Sequence, residues 1–69
     1  MKTVLIVEDE KLIRQGIRTM VQRSGVPIEV IMECNNGEAA LEILKDQNGA
    51  KVTVLTMGLP KADAVLREA

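Results

Sequence analysis

The sequence MKTVLIVEDEK, residues 1–11, runs from an aliphatic segment directly into three acidic residues. Residues 4–7 are all Val, Leu or Ile, which is typical of a strand buried on both faces of a parallel sheet. Glu8, Asp9 and Glu10 follow where that strand ends. The stretch therefore predicts a buried strand with the chain's densest negative charge at its carboxyl end.

An amphipathic helix is predicted directly after the acidic residues, over residues 10–23. Its aliphatic residues fall on one helical stripe: Leu12, Ile13, Ile17, Met20 and Val21. Gly16 is predicted on the same buried side, where the lack of a side chain would let the helix approach a sheet closely. Ser24-Gly25 is expected to end the helix.

Strands and helices continue to alternate in the rest of the chain. A second strand is predicted over residues 28–33, and a helix capped by Asn36 is predicted to run to residue 46. A third strand is predicted over residues 52–57, and Asp63 is expected to cap a short final helix. The order βαβαβα with short connections predicts an α/β fold of three layers, with a parallel sheet in strand order 2-1-3.

Composition excludes several classes of function. The net charge of −1 and the absence of Phe, Tyr and Trp provide neither a basic patch nor stacking platforms, so no nucleic-acid partner is expected. No apolar run approaches the roughly 20 residues of a membrane span, and no signal peptide is apparent, so no membrane partner is expected. The absence of histidine removes most metal and nucleophile chemistries.

The lone cysteine, Cys34, cannot form an internal disulfide, which favours a cytoplasmic protein. Its position at the end of the second predicted strand has two interpretations. A small hydrophobic residue is favoured over an exposed, reactive thiol.

The acidic cluster also has two interpretations. In an open α/β sheet, ligands bind outside the carboxyl ends of the strands, and Glu8 and Asp9 would supply the oxygen ligands that Mg²⁺ prefers. Alternatively, Asp9 caps the following helix while its neighbours favour the helix dipole. The spacing of the residues alone leaves both open.

Two segments, VLIVEDEKLIRQGIRTMV (residues 4–21) and VIMECNNGEAALEIL (residues 30–44), resemble the first half of a receiver domain from bacterial two-component response regulators. The resemblance is greatest to receivers attached to AraC-type output domains. It is strong over residues 2–46 and weaker over residues 51–63. It implies half of a flavodoxin-like doubly wound sheet, with Glu8 and Asp9 at the positions of the family's Mg²⁺-binding acidic pair.

The phosphoacceptor that the resemblance implies is missing. Receivers carry an aspartate at the end of the third strand, but residues 47–62 contain no Asp or Glu. The acceptor is either replaced by Thr56 or deleted between Thr56 and Met57. Thr56 is a poor substitute because its hydroxyl needs a general base, and the chain has no histidine to act as one. The favoured interpretation is that Thr56 has a structural role, as a β-branched residue that suits a strand.

A receiver also continues through two further βα units that residues 1–69 do not contain. We therefore expect one truncated receiver-like domain over residues 1–69, engineered or chimeric, with a junction near residues 47–51. We expect it to have no enzymatic activity, to require no cofactor, and to bind Mg²⁺ at most weakly.

Its expected partner is a second copy of the chain, bound through the edge of the third strand. The alternative is a phosphorelay module that engages a histidine kinase through its first helix; a working phosphoacceptor is disfavoured.

Overall fold

The computed structural model describes residues 2–47 and 50–56, which form a three-stranded sheet and two helices. The elements in chain order are β1 (Lys2–Val7), α1 (Lys11–Arg23), β2 (Ile28–Cys34), α2 (Gly37–Asp46) and β3 (Val52–Thr56). The strands lie in the order β2-β1-β3, and both pairings are parallel. The predicted α/β class and strand order 2-1-3 are confirmed. Met57 and the predicted final helix lie outside the described residues.

β1 is the central strand and is buried along most of its length. Leu5 pairs with Met32 of β2 on one side and with Val54 of β3 on the other. The side chains of residues 4–7 are all buried. An unbroken aliphatic strand is required here because side chains on both faces are covered, so alternation with polar residues would bury polar groups.

The two faces of β1 form two separate cores. Leu5 and Val7 pack with Ala40 of α2 on one face. Val4 and Ile6 pack with Ile17 of α1 on the other. The helices therefore lie on opposite faces of the sheet, as consecutive right-handed crossovers require when the chain reverses its direction across the sheet.

α1 buries a narrower stripe than the sequence predicts. Ile17 is 4% exposed, but Leu12 is 81% and Met20 is 61% exposed. Gly16 is also exposed, and no atom lies within 4 Å of the position that a Cβ would occupy. The prediction that Gly16 lies on the buried side is therefore wrong. Successive helical residues are about 100° apart, so burying Ile17 against the sheet turns Gly16 to the flank of the helix.

α2 begins as predicted. Asn36 has an extended backbone, and its Oδ1 accepts a hydrogen bond of 2.7 Å from the backbone N–H of Ala39. Glu38 lies in the first turn, where a carboxylate favours the positive end of the helix dipole. The predicted cap and helix end at residue 46 are confirmed, and β2 extends one residue further than predicted, to Cys34.

We expect Asn36→Ala to lower the free energy of unfolding by about 1 kcal/mol, because it removes the acceptor for an N–H of the first turn. Chemical denaturation followed by far-ultraviolet circular dichroism measures this change. Asn36→Ser, which keeps a capping oxygen, is the matched control and should lose less. Equal stability of Asn36→Ala and the parent chain would contradict the capping role.

Candidate functional site at the carboxyl edge of the sheet

The carboxyl ends of β1 and β3 bring two candidate residues to the same edge of the sheet. Val7 pairs with Thr56, so Glu8 follows β1 at the level where the described part of β3 ends. Each residue carries a buried side-chain oxygen with no hydrogen-bond partner, Oε1 in Glu8 and Oγ1 in Thr56. Unsatisfied buried polar atoms are uncommon, so this edge is the candidate site.

Glu8 is fixed by its own backbone and by its neighbours. Its side chain is almost completely buried, with 1% of the residue exposed. Its Oε2 accepts a hydrogen bond of 3.0 Å from the N–H of Glu10, and its own N–H donates to the carbonyl of Cys34 at 3.1 Å. Its carbonyl oxygen accepts from Arg14 Nη1 at 2.7 Å. Its Oε1 has no hydrogen-bond partner.

Asp9 lies beside Glu8 in sequence but is exposed. The residue at the N-cap of α1 is Glu10, and its side chain makes no capping hydrogen bond. The interpretation that Asp9 caps the helix is therefore wrong. The carboxylate that accepts the N–H of Glu10 is the buried one of Glu8.

The donor set is incomplete for Mg²⁺. The ion demands near-octahedral oxygen coordination and keeps several waters when few carboxylates are present. Glu8 offers one unengaged oxygen and Asp9 an exposed carboxylate. Among residues 2–47 and 50–56, no group of three His, Cys, Asp or Glu residues could hold a metal ion. The described residues therefore do not fit a complete magnesium site.

A charged cluster missed by sequence analysis fixes α1 against β2 near this edge. Arg14 Nε lies 3.4 Å from Glu33 Oε1, and Arg18 Nη1 donates to Glu33 Oε2. Arg14 thereby links Glu33 to the carbonyl of Glu8. The four-residue spacing of the two arginines was a usable signal, because it places both on one face of a helix. Their acceptor on β2 could not be identified without the sheet register.

Cys34, at the end of β2, behaves as a core residue. It packs against the cluster of Leu5, Val7 and Ala40, and its thiol donates to the carbonyl of Asn36 at 3.6 Å. Burial raises the pKa of the Cys34 thiol, opposed by the Asn36 hydrogen bond and by the charge of Arg14. A raised pKa leaves little thiolate near neutral pH, which favours the small-hydrophobe interpretation.

The geometry defines an open parallel α/β domain with an acidic group at the carboxyl end of its central strand. The family model for the response regulator receiver domain matches residues 4–65. The chain belongs to this family.

Two curated relatives are named as regulators of transcription. A Pseudomonas aeruginosa protein named "Putative transcriptional regulator" is 34% identical over 65 residues, which cover 94% of this chain and 30% of that protein. The Bordetella pertussis protein "Virulence factors putative positive transcription regulator BvgA" is 34% identical over 62 residues, which cover 90% of this chain and 28% of that protein. The chain thus spans less than a third of either relative. No solved structure matches it at a significant level.

Neither described helix has the length and apolar character needed to cross a membrane.

We expect Thr56→Val to raise the free energy of unfolding by about 1 kcal/mol, because valine keeps the β-branched shape and removes a buried hydroxyl without a partner. Thermal or urea unfolding measures the change. Thr53→Val, at an exposed position of the same strand, is the matched control and should alter stability by less than about 0.5 kcal/mol. A loss of stability in Thr56→Val would mean that the hydroxyl serves a partner.

We expect Mg²⁺ to bind weakly at Glu8 and Asp9, because the described donors leave the ion held mostly by water. Titration followed by amide chemical shifts should give small changes around these residues that do not saturate at millimolar metal. Asp9→Asn is the control. Tight, saturable binding that disappears in Asp9→Asn would contradict this expectation.

Proposed function

We propose that this receiver-family chain acts by association and not by phosphoryl transfer. The main support is the nature of the group at the end of β3. Phosphoryl transfer to a receiver requires a carboxylate nucleophile within reach of a bound cation. Thr56 occupies this end of the described strand, and its hydroxyl is buried and makes no hydrogen bond to a general base. The chain is proposed to have no catalytic activity and to need no cofactor.

Incubation with acetyl phosphate and Mg²⁺, followed by intact mass measurement, tests this proposal. We expect no added phosphoryl mass, while a receiver with an aspartate acceptor, treated in parallel, should be labelled. A stoichiometric adduct released by hydroxylamine would overturn the proposal, because this lability identifies an acyl phosphate on a carboxylate.

The proposed association is a homodimer formed through β3. The two outer strands of the described sheet differ in their protection. β2 contains Glu29 and Glu33 and is preceded by Pro27, whereas β3 has the sequence VTVLT and carries no charge after the exposed Lys51 that precedes it. Charges and proline are the usual means of preventing an edge from pairing with another chain. Within the described residues the outer edge of β3 carries no such protection along its length, which favours pairing with a second copy about a twofold axis.

Thr53→Lys should weaken this dimer while the fold is retained, because Thr53 is exposed and a lysine at a strand edge opposes pairing. Val30→Lys, an exposed position of the other outer strand, is the matched control and should leave the dimer unchanged. Val54→Lys should disrupt both dimer and fold, because Val54 packs against the core of Leu5, Val7 and Ala40.

Sedimentation velocity over a range of concentrations, with circular dichroism of each variant, gives the measurement. A parent chain that stays monomeric at high concentration would overturn the dimer, as would equal effects of lysine on β2 and β3.

A second candidate function is engagement of a histidine kinase through α1. The exposure of Leu12 and Met20 on this helix favours it, because large exposed apolar residues that lie together often mark a protein-binding surface. The chimeric or engineered origin and the junction near residues 47–51 stay predictions from the sequence.

A further inference from the structure

The hydrogen bonds of β1 determine which backbone groups β3 turns towards its outer edge. The N–H of Glu8 donates to the carbonyl of Cys34, on the side of β2, at 3.1 Å. The N–H of Lys2 donates in the same direction, to the carbonyl of Pro27, at 3.1 Å. Backbone direction alternates along a strand, so the even-numbered residues of β1 point to β2 and the odd-numbered residues point to β3.

The outer edge of β3 therefore presents the N–H and C=O groups of Val52, Val54 and Thr56. Leu5 points to β3 and lies opposite Val54. In a parallel pair, a residue that points to its neighbour bonds the residues on either side of the opposite one. Val54 is thus left pointing outward, and the alternation adds Val52 and Thr56.

A second copy related by a twofold axis meets this edge antiparallel. Parallel pairing of two identical edges would set each N–H level with the same N–H of the other copy, so no ladder could form. With the axis at Val54, that residue pairs with its own copy and Val52 pairs with the partner's Thr56, so all three outward residues are hydrogen-bonded. An axis at Thr53 or Leu55 would leave one of the three without a partner in β3.

The two ends of the described sheet carry opposite charges. Lys2 and Lys51 lie at the amino ends of β1 and β3, and Glu8 and Asp9 follow the carboxyl end of β1. Lys51 and Asp9 are exposed, and neither forms an ion pair with a described residue. Glu8 is buried, with its Oε1 unpartnered. An antiparallel dimer sets the basic end of each sheet beside the acidic end of the other.

We propose that the dimer is antiparallel at β3 with Val54 on the twofold axis, and that Lys51 of each copy completes the acidic edge of the other by pairing with Asp9 and Glu8. This inference rests on the proposed homodimer and specifies its geometry. Glu8 lies three residues beyond Leu5, which is level with Val54, and Lys51 lies three residues before Val54. The antiparallel copy therefore brings the partner's Lys51 to the level of Glu8, twice per dimer.

The lateral separation permits this contact. The backbones of β1 and the partner's β3 are two strand spacings apart, about 10 Å, which a lysine and an acidic side chain extended towards each other can bridge. Within one chain, Lys51 and Asp9 lie at opposite ends of the sheet, roughly 20 Å apart at about 3.3 Å per residue. Only the partner's Lys51 can therefore reach the acidic edge.

The groups also lie on the same face of the joined sheet. Ile6 and Leu55 belong to one core cluster, on the face that α1 covers. Side chains alternate along a strand, so Glu8 and Lys51, each an even number of residues from these, share that face. A twofold axis perpendicular to the sheet keeps the α1 faces of both copies on one side.

A second copy is favoured over an extended segment of another protein because one register meets two independent requirements. The axis that satisfies all three outward residues of β3 is also the axis that sets lysine level with acid. A segment of another protein would need neither coincidence.

Zero-length crosslinking with a carbodiimide tests the contact, since the reagent joins an amine to a carboxylate that it touches. In an equal mixture of ¹⁵N-labelled and unlabelled chains, in carboxylate-free buffer, we expect Lys51 to be joined to Asp9 or Glu8 in peptides of mixed isotope content. Lys2, at the same end of the sheet but one strand further from the axis, should not be joined to them. Links from Lys2 in place of Lys51 would overturn the inference.

Disulfide formation tests the position of the axis. With Cys34→Ala removing the native thiol, Val54→Cys should link two chains under mild oxidation, because a hydrogen-bonded antiparallel pair has its Cα atoms about 5.5 Å apart. Thr53→Cys is the control on the same strand. Its two copies would be offset by two residues and about 8 Å apart, beyond the reach of a disulfide. Linkage at residue 53 with none at residue 54 would overturn the register.

Charge reversal tests the energetic part. In low-salt, metal-free buffer with a chelator, Lys51→Glu and Asp9→Lys should each weaken the dimer about fivefold or more in sedimentation velocity, because each converts two attractions into repulsions. The double variant K51E/D9K should recover most of the affinity. Lys2→Glu, which changes the net charge equally, is the matched control and should have a smaller effect. The differences should shrink at high salt.

The outcomes separate this inference from the proposed function. A parent chain that stays monomeric would overturn both. A dimer that Thr53→Lys weakens, but that ignores charge reversal at residue 51 or fails to link at residue 54, would leave the β3 dimer standing and overturn the geometry inferred here.

Discussion

The burial of β1 on both faces is the constraint on which the rest of the structure depends. Each of the two cores is built on alternate residues of this one strand, and within the described sheet β2 and β3 both pair with it and not with each other. A single polar substitution at residues 4–7 would therefore affect a core and the alignment of a helix together. Among the described strands β1 alone supplies fully buried side chains, so in so small a domain the core has little else to rest on.

The same strand delivers a buried acid to the edge of the sheet. Glu8 is held there by the hydrogen-bonded ends of β1, β2 and α1, yet one of its oxygens is left without a partner. Burying a carboxylate that keeps one oxygen without a hydrogen bond costs stability, so the position of Glu8 is not explained by packing alone. Membership of the receiver family supplies a chemical context for this acid, and the described part of β3 ends beside it in Thr56, which carries a hydroxyl and not a carboxylate.

The sequence predicted the elements that local periodicity and capping determine. The aliphatic run at residues 4–7, the Asn36 cap and the alternation of strands with helices were sufficient for the strand order. The exposure of Leu12 and Met20 could not be predicted, because helical spacing defines a face but does not say how wide a strip of it the sheet covers. The burial of Glu8 and the exposure of Asp9 could not be predicted either. Two adjacent acidic residues give the same sequence signal, and only the path of the backbone determines which of them is buried.

The topology also determines the order in which parts of the molecule open. One helix separates β1 from β2 in the chain, whereas two helices and a strand separate β1 from β3, so closing the second pairing costs more chain entropy. Among the strands that the structure describes, β3 has a neighbour on one side, while β1 has one on each side. Partial unfolding should therefore release β3 before the β1–β2 pair separates. Amide hydrogens of β1 should exchange with solvent only on global unfolding, and those of β3 through a smaller, more frequent opening.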